Sequence, residues 1–221
     1  MSFMQDNLIP FFKKRTLLFI ERFQETEGVY SFRFEKEQDV NWKAGQYGLF
    51  SITHKKIKDP TKPFSVSSIP SENVVQITTR ISNSPSEFKQ TLLDMQPGTR
   101  VMMRGPVGPF YLKHDRPVLM IAGGIGITPF RSMLKQLAAA DERSQSKSPI
   151  QLLYVDSKQT YVFKDELEEI SSHIPLSIAY LDSSDLLPQG IESFVTTYQN
   201  NGNYYVAGPK SMADSTYEHL L

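Results

Sequence analysis

The chain has 221 residues, a length that fits one large domain or two small ones. Its 24 lysines and arginines balance its 24 aspartates and glutamates, which argues against tight non-specific binding to nucleic acid, because that binding needs a basic surplus. The lack of cysteine excludes disulfides, a thiol nucleophile and thiolate-bound zinc or iron–sulfur centres within these residues.

The sequence predicts neither a metal site nor a membrane span. The four histidines show no metal-ligand spacing. The longest apolar run, residues 118–127, is too short to cross a bilayer. The N-terminus lacks the basic region that opens a signal peptide, so we expect a cytoplasmic protein.

The first half of the chain has the pattern of short strands. Six β-rich runs, several of them alternating apolar and polar residues, cover residues 16–24, 29–35, 47–53, 64–68, 74–82 and 100–104. One helix is predicted at residues 86–95. This combination predicts a small closed antiparallel β-barrel over residues 1–114, with residues 1–15 as an N-terminal extension. Trp42 is expected to plug the barrel core.

From residue 117 onwards, strands alternate with helices. Strands are predicted at residues 118–122, 150–155, 176–181 and 204–207, and helices at 129–143, 164–172, 191–199 and from 211 onwards. The alternation predicts βαβ units, and therefore an α/β domain with a parallel sheet over residues 115–221. The polar residues 141–149 are expected to form a surface loop, and Glu166, Glu168 and Glu169 to form a solvated helix face.

A glycine-rich turn follows the first strand of this second half. Its sequence, GGIGITP at residues 123–129, lets the chain turn sharply and lets a phosphate approach the amides at the start of the next helix. Thr128 suits the N-cap of that helix and Pro129 its first position. The alternative is a tight turn without a ligand, because Pro129 stands where the common dinucleotide fingerprint has its third glycine.

A second candidate cluster lies in the predicted barrel, where residues 62–68 have the sequence KPFSVSS. The Lys62 amine, the Phe64 ring and the neighbouring hydroxyls have the chemistry to bind a phosphate, stack on a flat ring and hydrogen-bond its edge. Ser86 stands at the start of the predicted barrel helix. From these residues alone, a plain amphipathic strand and a simple N-cap are the alternative interpretations.

Five segments together resemble motifs of the ferredoxin–NADP reductase superfamily, in the order in which that family carries them. Residues 62–65 resemble its R-x-Y-S flavin motif, and residues 123–129 match its G-G-x-G-x-T-P nucleotide motif. AGPKSM at residues 207–212 is similar to its C-G-P-x-x-M signature. AGQY at 44–47 and GPVGPF at 105–110 resemble two barrel segments. The resemblance implies a flavin-binding β-barrel followed by an NAD(P)-binding α/β domain.

The resemblance also implies roles for individual residues. Phe64 would stack on the flavin ring of FAD, and Ser65, the implied catalytic residue, would hydrogen-bond near its reactive N5 edge. Arg80 and the helix start at Ser86 would complete a pyrophosphate site with Lys62, which favours FAD over FMN. NAD(P)H would be the co-substrate. The implied cofactor-binding residues are Lys62, Pro63, Phe64, Ser65, Val66, Ser67, Arg80, Ser86, Gly123, Gly124, Gly126, Thr128, Pro129, Ser157, Lys158, Gly208 and Pro209.

Three residues depart from the family pattern. Lys62 stands where the family has an arginine, and its amine cannot form the two parallel hydrogen bonds of a guanidinium. Phe64 stands where the family has a tyrosine. Ala207 replaces a cysteine that in the family usually lies near the nicotinamide. The sequence also ends inside its last predicted helix, where family members usually continue into a final strand, so the α/β domain is expected to lack that strand.

The expected function is that of a flavoprotein oxidoreductase that passes electrons from NAD(P)H through FAD to a separate protein or small-molecule acceptor. A non-catalytic flavin-binding electron-transfer or regulatory subunit is the alternative, which the residues at positions 62 and 207 favour. Ser157 and Lys158 favour NADPH, because a cation there can meet a 2′-phosphate, whereas the adjacent Asp156 is the residue type that binds a free ribose hydroxyl. An Asp156 side chain that caps the turn would remove this conflict.

Overall fold

The computed structural model describes residues 13–113, 115–140 and 148–220. The chain separates into two compact units between Tyr111 and Leu112. Most of the predicted N-terminal extension, residues 1–12, and most of the predicted surface loop, residues 141–147, lie outside the described residues.

The first unit contains the elements β1 (Lys14–Thr26), β2 (Val29–Glu35), β3 (Tyr47–Ile52), β4 (Thr61–Ser65), β5 (Val74–Arg80), α1 (Glu87–Asp94) and β6 (Arg100–Val107). The strands pair antiparallel in the order β4-β3-β6-β1-β2-β5. Just after β4, the Ser67 N–H donates to the carbonyl oxygen of Gln76 in β5 at 2.8 Å. This bond joins the two ends of the strand order and confirms the predicted antiparallel barrel.

The fourth strand begins earlier than the sequence predicts, because Pro63 does not interrupt it. The strand runs over Thr61–Ser65 instead of residues 64–68. It stands at one end of the strand order, and edge strands tolerate proline because they have N–H positions that need no partner. Lys62 pairs with Phe50 of β3.

Aromatic side chains fill the barrel. Phe32 and Phe34 of β2 are fully buried, as is Phe50 of β3. Burying a ring of this size stabilises a fold by about 1.5–3 kcal/mol. Trp42 is 6% exposed, and its Nε1–H donates to the Ser68 carbonyl oxygen at 3.1 Å. The prediction that Trp42 belongs to the barrel core is therefore confirmed.

The second unit contains β7 (Val118–Gly123), α2 (Ile127–Ala138), β8 (Ile150–Val155), α3 (Lys164–Ser171), β9 (Leu176–Leu181), α4 (Leu187–Tyr198), β10 (Asn203–Ala207) and α5 (Lys210–Leu220). Its strands are parallel in the order β10-β7-β8-β9, which confirms the predicted α/β arrangement. Because parallel strands end at one edge of the sheet, the segments that follow β7, β8 and β10 meet there.

The strand β7 lies at the centre of this sheet, and all six of its residues are buried. Parallel strands covered on both faces are typically continuous apolar runs of this kind. On one face, Leu119 and Ile121 pack with Ile191 and Phe194 of α4. The core therefore fixes β7, and with it the position of the glycine-rich turn at its end.

Within the part of the chain that the structure describes, no helix is long and apolar enough to cross a membrane. The same residues contain no group of three or more histidine, aspartate or glutamate side chains that could hold a metal ion.

Candidate functional site

The first candidate site begins within β4. Lys62 and Phe64 stand two residues apart in an extended strand, so their side chains lie on the same side. The Lys62 side chain is 41% exposed, with its Nζ 3.8 Å from Oδ2 of Asp59. The half-buried Phe64 ring stacks on Phe88 with a centroid distance of 5.7 Å and meets Phe50 edge-on at 6.0 Å. The strand thus presents a cation beside a partly accessible aromatic ring.

The next three residues pass from the surface into the barrel. Ser65 is half-buried, whereas Val66 and Ser67 are fully buried. The Ser67 Oγ donates to the Gln76 carbonyl oxygen at 3.2 Å and lies 3.0 Å from the Thr78 hydroxyl. Ser65 therefore keeps some accessible surface, while the Ser67 hydroxyl is engaged inside the protein.

Ser86 caps α1, as the sequence predicts. Its Oγ accepts a hydrogen bond from the Lys89 N–H at 3.4 Å. The Lys89 amine donates to the backbone carbonyl of Arg80 at 2.7 Å, and burial lowers the pKa of Lys89. Lys89 therefore links the end of β5 to the helix start. The sequence alone does not indicate this role, because a helix lysine usually lies on a solvated face.

In the second unit, a turn of 3-10 helix over Gly124–Gly126 connects β7 to α2. Gly126 is the N-cap of α2, and the helix begins with the next residue. The predictions of Thr128 as the N-cap and Pro129 as the first helical residue are therefore wrong, because the 3-10 turn runs directly into the helix. Thr128 is buried, and its Oγ1 donates to the Ile125 carbonyl oxygen at 3.1 Å.

The glycine-rich turn packs directly against the end of β10. A Cβ atom on Gly126 would lie 2.1 Å from the carbonyl oxygen of Ala207 and 2.7 Å from the Gly208 nitrogen. Both neighbours are backbone atoms, which cannot move aside as a flexible side chain can. This close packing is by itself a sufficient reason for glycine at position 126.

Two further glycines, Gly123 and Gly208, lie close to the side chain of Met212 in the first turn of α5. A Cβ atom on Gly123 would lie 2.6 Å from Met212 Sδ and 2.9 Å from Pro209 Cδ. A Cβ atom on Gly208 would lie 2.6 Å from Met212 Cε. The structure thus brings the motifs at residues 123–129 and 207–212 into contact.

Gly124 differs from these three glycines. Its φ of +52° lies in the left-handed region that favours glycine. The nearest atom to an added Cβ would be Asp156 Oδ2, at 4.0 Å. The space beside Gly124 is therefore open, and a ligand that approached there would meet backbone. This arrangement fits the phosphate-bearing part of a pyridine nucleotide.

Asp156 follows β8 and caps the loop after it. The residue is 5% exposed, and its Oδ1 accepts a hydrogen bond from the Lys158 N–H at 2.9 Å. Ser157 and Lys158 are exposed. The structure therefore agrees with a capping role for Asp156, the second of the two roles that its position in the sequence suggests.

An aromatic cluster that the sequence pattern does not predict lies at the same end of β8 and β9. Tyr154 pairs with Tyr180 in the sheet, and the rings of Tyr161 and Tyr180 are 4.8 Å apart. Burial, together with the carboxylates of Glu168 and Asp165, raises the pKa of Tyr180 to about 12. Strand register brings Tyr154 beside Tyr180, and the loop after β8 brings Tyr161 to them, so the local sequence gives no signal of the cluster.

A cavity of about 530 Å³ opens between α4 and α5. It contains none of the residues predicted to bind a cofactor. Its lining includes Leu187, Ile191, Met212, Ser215, Thr216 and His219. The cavity therefore adjoins the motif at residues 207–212 without including the glycine-rich turn.

Residues 120–218 match the family described as the oxidoreductase NAD-binding domain. The chain is 30% identical over 176 residues to the toluate 1,2-dioxygenase electron transfer component of Pseudomonas putida, covering 73% of this chain and 50% of that protein. It is 26% identical over 208 residues to the 2-halobenzoate 1,2-dioxygenase electron transfer component of Burkholderia cepacia, covering 89% of this chain and 59% of that protein. The chain thus spans between half and three fifths of the length of these two relatives.

Among solved structures, the ferredoxin–NADP+ reductase from Plasmodium falciparum is similar with a TM-score of 0.82 and 19% identity, covering 94% of this chain and 89% of that one. This similarity extends over both the antiparallel barrel and the parallel α/β unit, so the two chains share a fold. The matched NAD-binding region and this shared fold bear out the resemblance to the ferredoxin–NADP reductase superfamily that the motifs indicate.

Proposed function

We propose that the protein is a flavoprotein oxidoreductase that moves electrons from NAD(P)H through FAD to a separate acceptor. The observation that carries this proposal is the open, left-handed Gly124 in a turn that the motif at residues 207–212 holds in place. The turn stands at the carboxyl edge of a parallel sheet, within the matched NAD-binding region. Amides at such a strand–helix turn bind nucleotide phosphates.

The barrel residues fit an anionic cofactor with a flat ring. FAD, when bound, accepts a hydride from a nicotinamide and releases electrons singly. In this proposal Lys62, Arg80 and the backbone amides at the start of α1, beside Ser86, hold the pyrophosphate. Phe64 offers a ring face for stacking, and the Ser65 hydroxyl donates a hydrogen bond to the edge of the flavin. The domain assignments, flavin-binding at residues 1–114 and NAD(P)-binding at 115–221, belong to the same proposal.

We further propose that NADPH is preferred to NADH. The Asp156 carboxylate accepts the Lys158 N–H, so its Oδ1 is engaged in the loop itself. The Lys158 side chain is exposed beside the carboxyl end of β8, where a cation favours a 2′-phosphate. The measurement that tests this preference is kcat/KM for both nucleotides in the wild type and in Lys158→Ala. A loss confined to NADPH is expected, and a wild-type preference for NADH that survives the substitution contradicts it.

The proposed acceptor is a separate protein or a small molecule. The Pseudomonas putida relative is named an electron transfer component, which supports a protein acceptor. These 221 residues contain no cysteine to ligate an iron–sulfur cluster. An acceptor that carries a cysteine-ligated cluster must therefore lie outside them. The cytoplasmic location stays a prediction.

The visible spectrum of the purified protein, together with analysis of the flavin it releases on denaturation, tests the proposal. Bound FAD and NAD(P)H-dependent reduction of ferricyanide are the expected results. Bound FAD without ferricyanide reduction would support the non-catalytic flavin-binding role. Failure to bind flavin, even after incubation with excess FAD, would contradict both functions.

A further inference from the structure

The loop between β8 and α3 contains two non-glycine residues in the left-handed region. Gln159 has a φ of 54° and Phe163 a φ of 64°. Residues with a Cβ atom rarely adopt this conformation, which persists where the surroundings impose it. Phe163 is also the N-cap of α3 and makes no side-chain capping bond there. The shape of the loop therefore depends on the contacts that its residues make.

Hydrogen bonds to β8 and to Asp156 fix the loop at both ends. The Asp156 Oδ1 accepts the Lys158 N–H at 2.9 Å, and the Asp156 carbonyl accepts the Gln159 N–H at 2.9 Å. Near the other end, the Tyr154 hydroxyl accepts the N–H of the fully buried Val162 at 3.1 Å. The exposed Lys158 side chain therefore projects from a loop whose backbone these hydrogen bonds hold in place.

Arg131 of α2 contacts the last residue of this loop. The carbon Cζ of its guanidinium lies 5.0 Å from the centroid of the Phe163 ring. The guanidinium is itself fixed, because its Nε donates to Glu166 Oε2 at 2.6 Å and its Nη2 donates to Oε1 at 2.8 Å. Lys135 Nζ donates to the same Oε1 at 2.6 Å. The prediction of a solvated face is therefore wrong for Glu166, whereas Glu168 and Glu169 are exposed as predicted.

This arrangement is suited to hold Phe163 in place. Arg131 is 4% exposed, and a bidentate carboxylate pair fixes the plane of a guanidinium as a lysine amine cannot. A planar cation over an aromatic face adds an attraction that is stronger where water is excluded. The helix that carries Arg131 also begins at the glycine-rich turn. One helix therefore connects that turn to the loop of Lys158.

We propose that Arg131 is a positioning residue for nucleotide selection. With Glu166 it fixes Phe163, and through the loop it determines where Lys158 meets the 2′-phosphate of NADPH. Arg131 itself contacts no ligand in this mechanism. The inference rests on the proposed role of Lys158 in binding that phosphate.

Calorimetric binding of adenosine 2′-monophosphate to the full chain tests the inference without turnover. Arg131→Lys keeps the charge but removes the planar fork, so we expect about tenfold weaker binding, within the usual range for coupled residues. Binding of adenosine 5′-monophosphate, which lacks the 2′-phosphate, should not change. Lys135→Met is the matched control, because Lys135 also contacts Glu166 but is not stacked on Phe163; it should bind both nucleotides as the wild type does.

A double-variant cycle separates this inference from the proposed function. In a Lys158→Ala background, Arg131→Lys should cause no further loss of adenosine 2′-monophosphate affinity. An equal loss in both backgrounds would mean that Arg131 supports the fold in general, and would overturn the inference. If Lys158→Ala weakens binding but Arg131→Lys does not, the positioning role alone fails. If Lys158→Ala has no effect, the proposed 2′-phosphate site fails.

A second variant covers the case in which Arg131→Lys does not fold, as judged by its circular dichroism and thermal transition. Phe163→Leu leaves the ion pair intact and removes the ring that Arg131 contacts. The expected result is the same selective loss for adenosine 2′-monophosphate. Wild-type affinity for both nucleotides in folded Phe163→Leu would overturn the inference.

Discussion

The candidate site in the barrel is made of side chains, whereas the candidate site in the parallel unit is made mainly of backbone. Lys62 offers an exposed amine on β4, beside the half-buried ring of Phe64. The glycine-rich turn instead offers the open backbone at Gly124, held by the tight contact of Gly126 with Ala207. A motif of the first kind can be altered with the fold intact, while a motif of the second kind is also part of the core packing.

The substitution Gly126→Ala should have the largest effect. Its Cβ would lie 2.1 Å from the Ala207 carbonyl oxygen, so we expect the free energy of unfolding to fall by about 3 kcal/mol or more. Gly124→Ala is the matched control. It meets no close atom and should lose only the about 1–2 kcal/mol that a left-handed alanine costs. Chemical denaturation measures both, and equal losses would refute the distinction between the two glycines.

Next in size is the effect of Lys62→Ala on flavin binding. Loss of a charge-assisted hydrogen bond should weaken FAD binding by about 1.5–3 kcal/mol, as measured by fluorescence titration. The free energy of unfolding of the flavin-free protein should change little, because the side chain is 41% exposed. Lys62→Arg introduces a guanidinium that can form two parallel hydrogen bonds with a phosphate, and it should tighten FAD binding. An unchanged FAD affinity in Lys62→Ala would remove this residue from the site.

A smaller effect is expected from Ala207→Cys. The backbone of Ala207 contacts the glycine-rich turn, and its side chain is half-buried. The family resemblance implies that position 207 lies near the nicotinamide, and a thiol there should raise the hydride-transfer rate by about fivefold, the equivalent of one neutral hydrogen bond of about 1 kcal/mol. Stopped-flow absorbance measures this rate at equal flavin content. Identical traces for the two proteins would show that position 207 is remote from the reaction.

The smallest effect is expected from Asp39→Asn at the surface of the barrel unit. Hydrogen bonds from Lys13 and from Arg15, the latter at 2.7 Å, lower the pKa of Asp39 from its usual 3.8 to about 2. Because the folded pKa lies below the unfolded one, the stabilisation is present above about pH 4 and is lost as the pH falls towards 2. In the wild type, the free energy of unfolding is therefore expected to be slightly higher above about pH 4 than near pH 2. Asp39→Asn should make this difference only slightly smaller, because exposed ion pairs contribute little to stability. A large change at neutral pH would contradict this.

The strands, the order of the two units and two capping roles could be predicted because their signals are local. The alternation in β2 and the apolar run of β7 are properties of consecutive residues. The capping roles of Ser86 and Asp156 also depend on neighbours only two or three residues away. Such patterns require no knowledge of which distant segments meet.

The remaining features depend on contacts between distant segments. Ser67 is buried because the chain after β4 pairs with β5 and closes the barrel. Glu166 is an ion-pair partner because α3 packs beside α2, which the spacing of charges along α3 does not indicate. The predicted start of α2 is wrong because a 3-10 turn precedes the helix, and such turns carry no distinct periodicity over three residues.

The buried Trp42 gives the protein an intrinsic optical probe. It is the only tryptophan in the sequence, and it lies in the barrel with its indole shielded from water. Its fluorescence emission therefore reports the opening of the first unit, whereas the helical signal in circular dichroism comes mostly from the second, which contains α2 to α5. Recording both signals through one denaturant titration distinguishes concerted from stepwise unfolding of the two units without any attached label.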